Sequence, residues 1–357
     1  MKNSKRTVLF LISVFCFTTI IGNKEPDKNI GKESGEIIPS KVISVIGVGD
    51  IMMGTNYPNA SYLPANHGRN LLKPVEEILN SADITFGNLE GVLLDEGGTP
   101  KHCNNPDLCF LFRTPVRYVD NLVNAGFDLL SVANNHVGDF GPEGRRSTAE
   151  TLEKAGIAYA GFANNPTTII KHEGLKIGMA AFSPFRGTAN MHDISYVQRI
   201  VKELKEKTDI VIVSFHGGAE GVDFQSVTCE VEFFYGENRG NVCEFAYSAI
   251  DAGADIVFGH GPHVTRAVDI YKDRFIAYSL GNFCTYARFN LRGENGIAPI
   301  MKVYVDEKGK FIEAKAFSII QTGRGGPRPD PNNRAVRSLQ RLTINDFPYT
   351  QLRINDQ

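Results

Sequence analysis

Short, continuous apolar runs alternate with stretches of helical period between residues 42 and 263, and most of the runs close on a polar side chain able to ligate a cation. Runs of this kind, bounded by turn residues, read as strands buried on both faces, whereas apolar positions three and four apart read as one face of a helix. The pattern predicts strands at 42–48, 84–86, 127–132, 176–182, 209–215 and 255–258, with helices at 74–79, 143–154, 194–207 and 242–252 between them. A further helix is expected to open at Thr114-Pro115, as N-cap and first-turn proline, and to stop near Gly126. Beyond His263 the signal becomes strand-only, with runs at 264–270, 275–280, 300–305 and 311–319, and Asp306-Glu307-Lys308-Gly309 reads as a hairpin turn. Strands alternating with helices specify a layered α/β fold and not an all-β sandwich.

The polar residues fall at one kind of place. Asp50, Asn88 or Glu90, Asn135 with His136, His216 and His260 stand at the C-terminal ends of separate predicted strands, the edge at which open α/β sheets bind ligands. A strand needs no such residue there, because Gly, Ser or Thr would turn the chain as well. Carboxylate, carboxamide and imidazole groups gathered at that edge suit a divalent cation such as Mn, Fe, Zn or Mg, and donor type alone does not choose among them. His260-Gly261-Pro262-His263 adds a second imidazole at ligating spacing, and Asp139 follows His136 closely enough to orient it. Each residue has a plainer reading: Asn134-Asn135 as a left-handed turn, Pro262 as a simple bend, Asp50 as a turn aspartate. Recurrence on separate strand ends favours ligation. Met52 and Met53 read as core, and His67, His102, His172 and His192 as surface or loop residues.

Composition narrows the partners. The 357 residues carry a formal charge of −2 with charged residues at 22% and both signs interspersed, so no broad field draws the chain to nucleic acid or anionic lipid. An arginine cluster at 324, 328, 334, 337 and 341 reads as a solvated tail able to grip a carboxylate. Residues 1–22 pair a basic start with an apolar core from Val8 to Ile21 and read as a signal peptide or N-terminal membrane anchor. No small-x-small cleavage site follows, and Phe15 disfavours lipidation of Cys16. Residues 23–40 read as a flexible linker. Export makes disulfides admissible: Cys103 with Cys109 and Cys229 with Cys243 flank turn-rich segments, and Cys284 is left over. No Cys-x-x-Cys pair occurs, which argues against a thiolate zinc site.

Six blocks keep one order along the chain: Gly49-Asp50-Ile51-Met52-Met53-Gly54, Gly87-Asn88-Leu89-Glu90-Gly91, Ala133-Asn134-Asn135-His136, Phe215-His216-Gly217-Gly218-Ala219-Glu220, Gly259-His260-Gly261-Pro262-His263-Val264 and Tyr278-Ser279-Leu280-Gly281-Asn282-Phe283. In these the chain resembles the CapA-type poly-γ-glutamate capsule biosynthesis proteins, a branch similar to the calcineurin-like metallophosphoesterases. The resemblance implies a four-layer α/β/β/α sandwich over residues 41–322, with 323–357 as a tail or extension. By position it implies Asp50 as first metal aspartate, Asn135 as metal asparagine, His136 as catalytic histidine, and His216, His260 and His263 as further ligands. Two-metal phosphoesterases have Asp-x-His where this chain has Asp50-Ile51-Met52, and Gly-Asp where it has Gly87-Asn88. Glu90, two residues on, can supply the missing oxygen beside Asn88, so one or two ions are expected. Ser279 and Asn282 are expected to line a substrate site. The expected function is exported and metal-dependent: a hydrolase or transferase of the cell envelope acting on phosphoester or glutamyl amide bonds. An anionic polymer or cell-envelope substrate and membrane-bound polymer synthase subunits are the expected partners. The alternative is a non-catalytic, membrane-anchored component of a polymer synthesis and export complex that binds the polymer.

Overall fold

The computed structural model describes residues 41–103, 109–350, 352 and 354–356, which belong to one folded unit. The expected signal or anchor and the linker lie outside the described residues. Two sheets are stacked face to face. The first runs in the order Pro327–Pro329, Phe311–Gln321, Ile297–Asp306, Val42–Met52, Ile84–Leu89, Leu129–Ser131, Ala158–Ala160. The second runs Val268–Tyr271, Arg274–Ala277, Ile256–His260, Ile210–His216, Leu175–Phe182, Thr167–His172. The chain is therefore an α/β sandwich of four layers, helix, sheet, sheet, helix.

Side-chain alternation produces those layers. Ile43 and Val45 point between the sheets, where they meet Ile177, Met179, Ile210, Ile212, Ile256 and Phe258. Ile46 and Val48, one residue out of phase, face the helical layer with Leu79, Leu122 and Leu152. In the second sheet Val211, Val213 and Phe215 face helices Ile194–Lys205 and Val242–Asp251 through Val197, Val201, Leu204 and Phe245. Both sets of faces are buried, so the strands read as unbroken apolar runs instead of alternating ones. Phe86 stacks on Phe258 across the two sheets at 5.4 Å between ring centroids. Helices start where polar caps sit: Asp193 accepts from Tyr196 N, and Asn241 accepts from Cys243 N and Glu244 N. The helix Gly141–Ala155 stops at Gly156 with φ 74°.

Two expectations are corrected, and one strand is new. Thr114-Pro115 does not cap a single helix; Thr114 ends a short strand and donates its hydroxyl to Gly54 O, and a 3₁₀ turn Val116–Tyr118 precedes a helix of only Val119–Asn124. The strand-only reading beyond His263 fails at Arg334–Asp346, a helix whose Ala335, Val336, Leu339 and Leu342 are buried. That apolar spacing was present in the sequence but is masked by arginines on the outer face. Of these, Arg334 is paired with Asp330 at 2.9 Å. An unanticipated strand, Asn282–Thr285, lies parallel to Val42–Met52 and sets Asn282 opposite Asp50. Both disulfides form, Cys103–Cys109 and Cys229–Cys243, and Cys284 is free and buried.

Candidate metal centre

The parallel strands bring their C-terminal ends to one edge of the sandwich. Asp50 pairs with Asn88 in the register of the first sheet, and His216 with His260 in that of the second. Gly49 lets the chain close there, because a Cβ at this position would fall on the Gly281 carbonyl, while Asp50 N donates to Gly281 O at 2.9 Å. His263 lies beyond the second sheet in the left-handed region at φ 57°, a conformation costly for a non-glycine residue and held here by surrounding contacts. Two of these are donations from Asn282 Nδ2 and Asn295 Nδ2 to His263 O, at 3.2 and 3.3 Å.

Asp50, Glu90 and His263 offer ligand atoms all within 4.8 Å of one another. His263 Nδ1 is 2.9 Å from Asp50 Oδ2, and its Nε2 is 3.5 Å from Glu90 Oε1. His260 Nδ1 stands 3.4 Å from Asp50 Oδ1. Asn88 Nδ2 donates to Asp50 Oδ1 at 2.8 Å and contacts His216 Nδ1 at 3.4 Å. Asn134, adjacent to the expected ligand Asn135, reaches the cluster by donating to Asn88 Oδ1 and Leu89 O. Asn135 itself keeps a buried Oδ1 that has no partner among the described residues.

His136 is tied to the centre from the far side. Its Nδ1 is 2.8 Å from Asp139 Oδ2, and its Nε2 is 3.8 Å from Glu90 Oε1. Asp139 is fully buried, accepts Phe112 N on the same oxygen, and meets Lys101 Nζ at 2.5 Å through the other. Lys101 was not legible from sequence, since it sits in a polar loop outside every apolar run. Ser279 donates to Val264 O and accepts from Gly281 N. With Asn282, it fastens the loop that carries His263.

Electrostatics set this cluster apart from ordinary surface ion pairs. Burial opposes ionisation of Asp50, yet the imidazoles of His260 and His263 carry its carboxyl far below the usual range. Burial, with the nearby charges of Asp50, Glu220 and Asp139, pushes Glu90 well above its usual value against the pull of His263. Burial also works against protonation of His263, but Glu90 and Asp50 raise it to about 10. Burial lowers His216 strongly, and lowers His136 despite Asp139.

The donor set fits a divalent cation. Both Glu90 oxygens, His216 Nε2 and His260 Nε2 are buried without a hydrogen-bond partner among the described residues. A buried carboxylate left so is expensive unless a cation meets it. Hard oxygen and borderline nitrogen donors together leave the metal's identity open.

Residues 44–287 match the family model for the bacterial capsule synthesis protein PGA_cap. The capsule biosynthesis protein CapA of Bacillus anthracis is 28% identical over 256 residues, covering 66% of this chain and 58% of the relative. The PGA biosynthesis protein CapA of Bacillus subtilis is 28% identical over 258 residues, covering 68% and 63%. The chain thus spans less than two thirds of either relative's length. Among solved structures, a calcineurin-like phosphoesterase from Bacillus subtilis superposes with a TM-score of 0.43 at 12% identity, covering 87% of this chain and 99% of that one. A hypothetical protein from Thermus thermophilus gives 0.46 at 16% identity, covering 77% and 98%. The matched span contains every residue of the cluster from Asp50 to His263, and the chain belongs to the bacterial capsule synthesis protein (PGA_cap) family.

Proposed function

We propose that this chain acts in capsule-polymer synthesis as an exported, metal-dependent hydrolase or transferase, working on phosphoester or glutamyl amide bonds. One observation carries the reading: the Glu90 carboxylate is buried without a hydrogen bond, beside Asp50 and His263. Asp50, Glu90 and His263 would hold the ion, with Asn88, Asn135, His216 and His260 as the further ligand set. A bound divalent cation polarises a phosphoryl or carbonyl oxygen and acidifies water. The chain's own groups do the rest. Asp139 accepts from His136 Nδ1, so the ring presents Nε2 to the centre at one fixed atom. Protonated, that atom gives a proton to a leaving group; neutral, it takes one from a nucleophile. Phe112 packs on the His136 ring at 4.1 Å and Phe289 edges onto His263 at 5.4 Å, which limits water at the reacting centre.

A second reading, polymer binding without turnover, is favoured by Asn88. Its amide is spent at both ends, on Asp50 and Asn134, where a bridging carboxylate would hold a second ion. Elemental analysis of the purified chain beside the double variant His216→Ala/His260→Ala tests the first reading. Metal in the parent that is lost in the variant supports it and leads to screening phosphoesters and glutamyl amides. No metal after incubation with Mn, Zn and Fe salts overturns it and leaves the binding role.

A further inference from the structure

A cavity of about 570 Å³ opens beside the centre, with Lys101 and His102 on one wall and Arg288 on another. Its position is fixed from two directions. Lys101 is in contact with Asp139, the partner of His136. Arg288 precedes Phe289, which touches both Phe112 and His263. The Cys103–Cys109 disulfide borders the cavity and ties down the loop that carries Lys101 and His102.

Arg288 differs from the buried arginines Arg239 and Arg266. Its guanidinium lies over Tyr62 at 4.8 Å and Phe110 at 5.0 Å, two rings that keep it from sweeping freely. The Nε atom is buried without a hydrogen-bond partner, and among the described residues no carboxylate pairs with the side chain. By contrast Arg239 is paired with Glu220 and Glu237, and Arg266 with Glu232. Among the described residues no acidic side chain lines the cavity. A guanidinium packed on two rings and without a carboxylate partner, in a cavity that Lys101 also lines, matches the planar, bidentate demand of an oxyanion.

We infer that this cavity is a substrate subsite that receives an oxyanion, carboxylate or phosphate, of a polyanionic chain at a unit removed from the reacting bond. The inference rests on the proposed reading of the neighbouring centre for the word substrate, but anion capture at Arg288 stands without metal. It explains how a chain of net charge −2 engages a polyanion: by one preorganised cationic cavity and not by a broad field.

The test is calorimetric titration of the purified chain with a γ-linked glutamate hexamer, its fully amidated counterpart and a polyphosphate of equal length, with metal content measured on the same samples. Arg288→Ala is expected to weaken one polyanion about tenfold, to leave the amidated hexamer and metal content unchanged, and to exceed the effect of Arg292→Ala, which removes an exposed charge nearby. Which polyanion responds identifies the source of the oxyanion. If Arg288→Ala does not fold, Arg288→Lys is read instead, because it keeps the charge and loses the bidentate fork. Parent-like binding by the variant, a loss no larger than that of Arg292→Ala, or a parent that binds neither polyanion overturns the subsite. Arg288-dependent binding in a chain that takes up no metal keeps the subsite and removes the metal-dependent reading.

Discussion

Around Asp50 the two flanks of the centre are finished differently. On the Glu90 and His263 flank, carboxylate oxygens lie buried without hydrogen bonds and an imidazole is held in a strained backbone conformation. On the Asn88 and His216 flank, the carboxamide is closed on both sides, by Asp50 and by Asn134. The first flank stores unfavourable carboxylate desolvation that a cation would relieve; on the second the carboxamide is already satisfied, and the group left without a hydrogen bond is a neutral imidazole nitrogen, His216 Nε2. Similar donors at similar strand ends therefore differ in readiness, and the first flank is expected to bind an ion well before the second.

The largest effect is expected at Asp50, the one residue both flanks share. Asp50→Ala should reduce metal content to background at either position while leaving the fold intact, as read by elemental analysis with circular dichroism. Retained metal in a folded Asp50→Ala would refute the shared arrangement. Next come variants that separate the flanks. Glu90→Gln should weaken the first ion by about a hundredfold, whereas His216→Ala should leave it within about tenfold of the parent, the range typical of neighbouring groups. Equal losses in competition titrations with a chelator would abolish the distinction.

Most of this arrangement was legible from the chain itself. The strands Val42–Met52, Ile84–Leu89, Ile210–His216 and Ile256–His260 were readable because burial on both faces leaves an apolar run and a polar stop. Three features were not. The strand Asn282–Thr285 is short and takes its place only by pairing with Val42–Met52, a long-range contact that no local pattern encodes. The helix Arg334–Asp346 hid beneath its arginines. Lys101 and Arg288 acquire meaning only through partners distant in sequence, Asp139 for one and Tyr62 with Phe110 for the other. Local signals report burial and turns, whereas the second ring of groups around a site is assembled by tertiary contact.

Proton linkage gives a smaller, graded effect confined to the first flank. Without metal, His263 is raised to about 10 by Glu90 and Asp50 against the effect of burial, so it is protonated at neutral pH. An ion that uses this imidazole must displace its proton, and affinity should rise by up to about tenfold per pH unit below that value. Glu90, itself pushed up, acts in the same direction. In the metal-free protein the sign reverses: the raised His263 contributes stability below its unfolded value of about 6.5, and that stability is lost as pH rises through about 10. Calorimetry in buffers of different ionisation enthalpy should show proton release on metal uptake. Uptake with no proton release would remove His263 from the ligand set.

The smallest change expected is a gain. Asn88→Asp replaces the carboxamide that donates to Asp50 Oδ1 with a carboxylate that cannot donate. Two buried carboxylates would then face each other across the former 2.8 Å hydrogen bond, which is unfavourable unless a cation or proton lies between them. Asn134 Nδ2 still donates to the new side chain, and His216, whose ring already contacts position 88, supplies a neutral nitrogen because burial lowers its basicity. The second flank would thereby acquire the unmet demand that marks the first. The variant should melt below the parent without metal, recover with excess Mn or Zn, and take up more metal per chain in elemental analysis. Unchanged stoichiometry, with a lowered melting temperature that metal does not restore, would show that the second flank is a hydrogen-bonded support for the first and not a latent ion site.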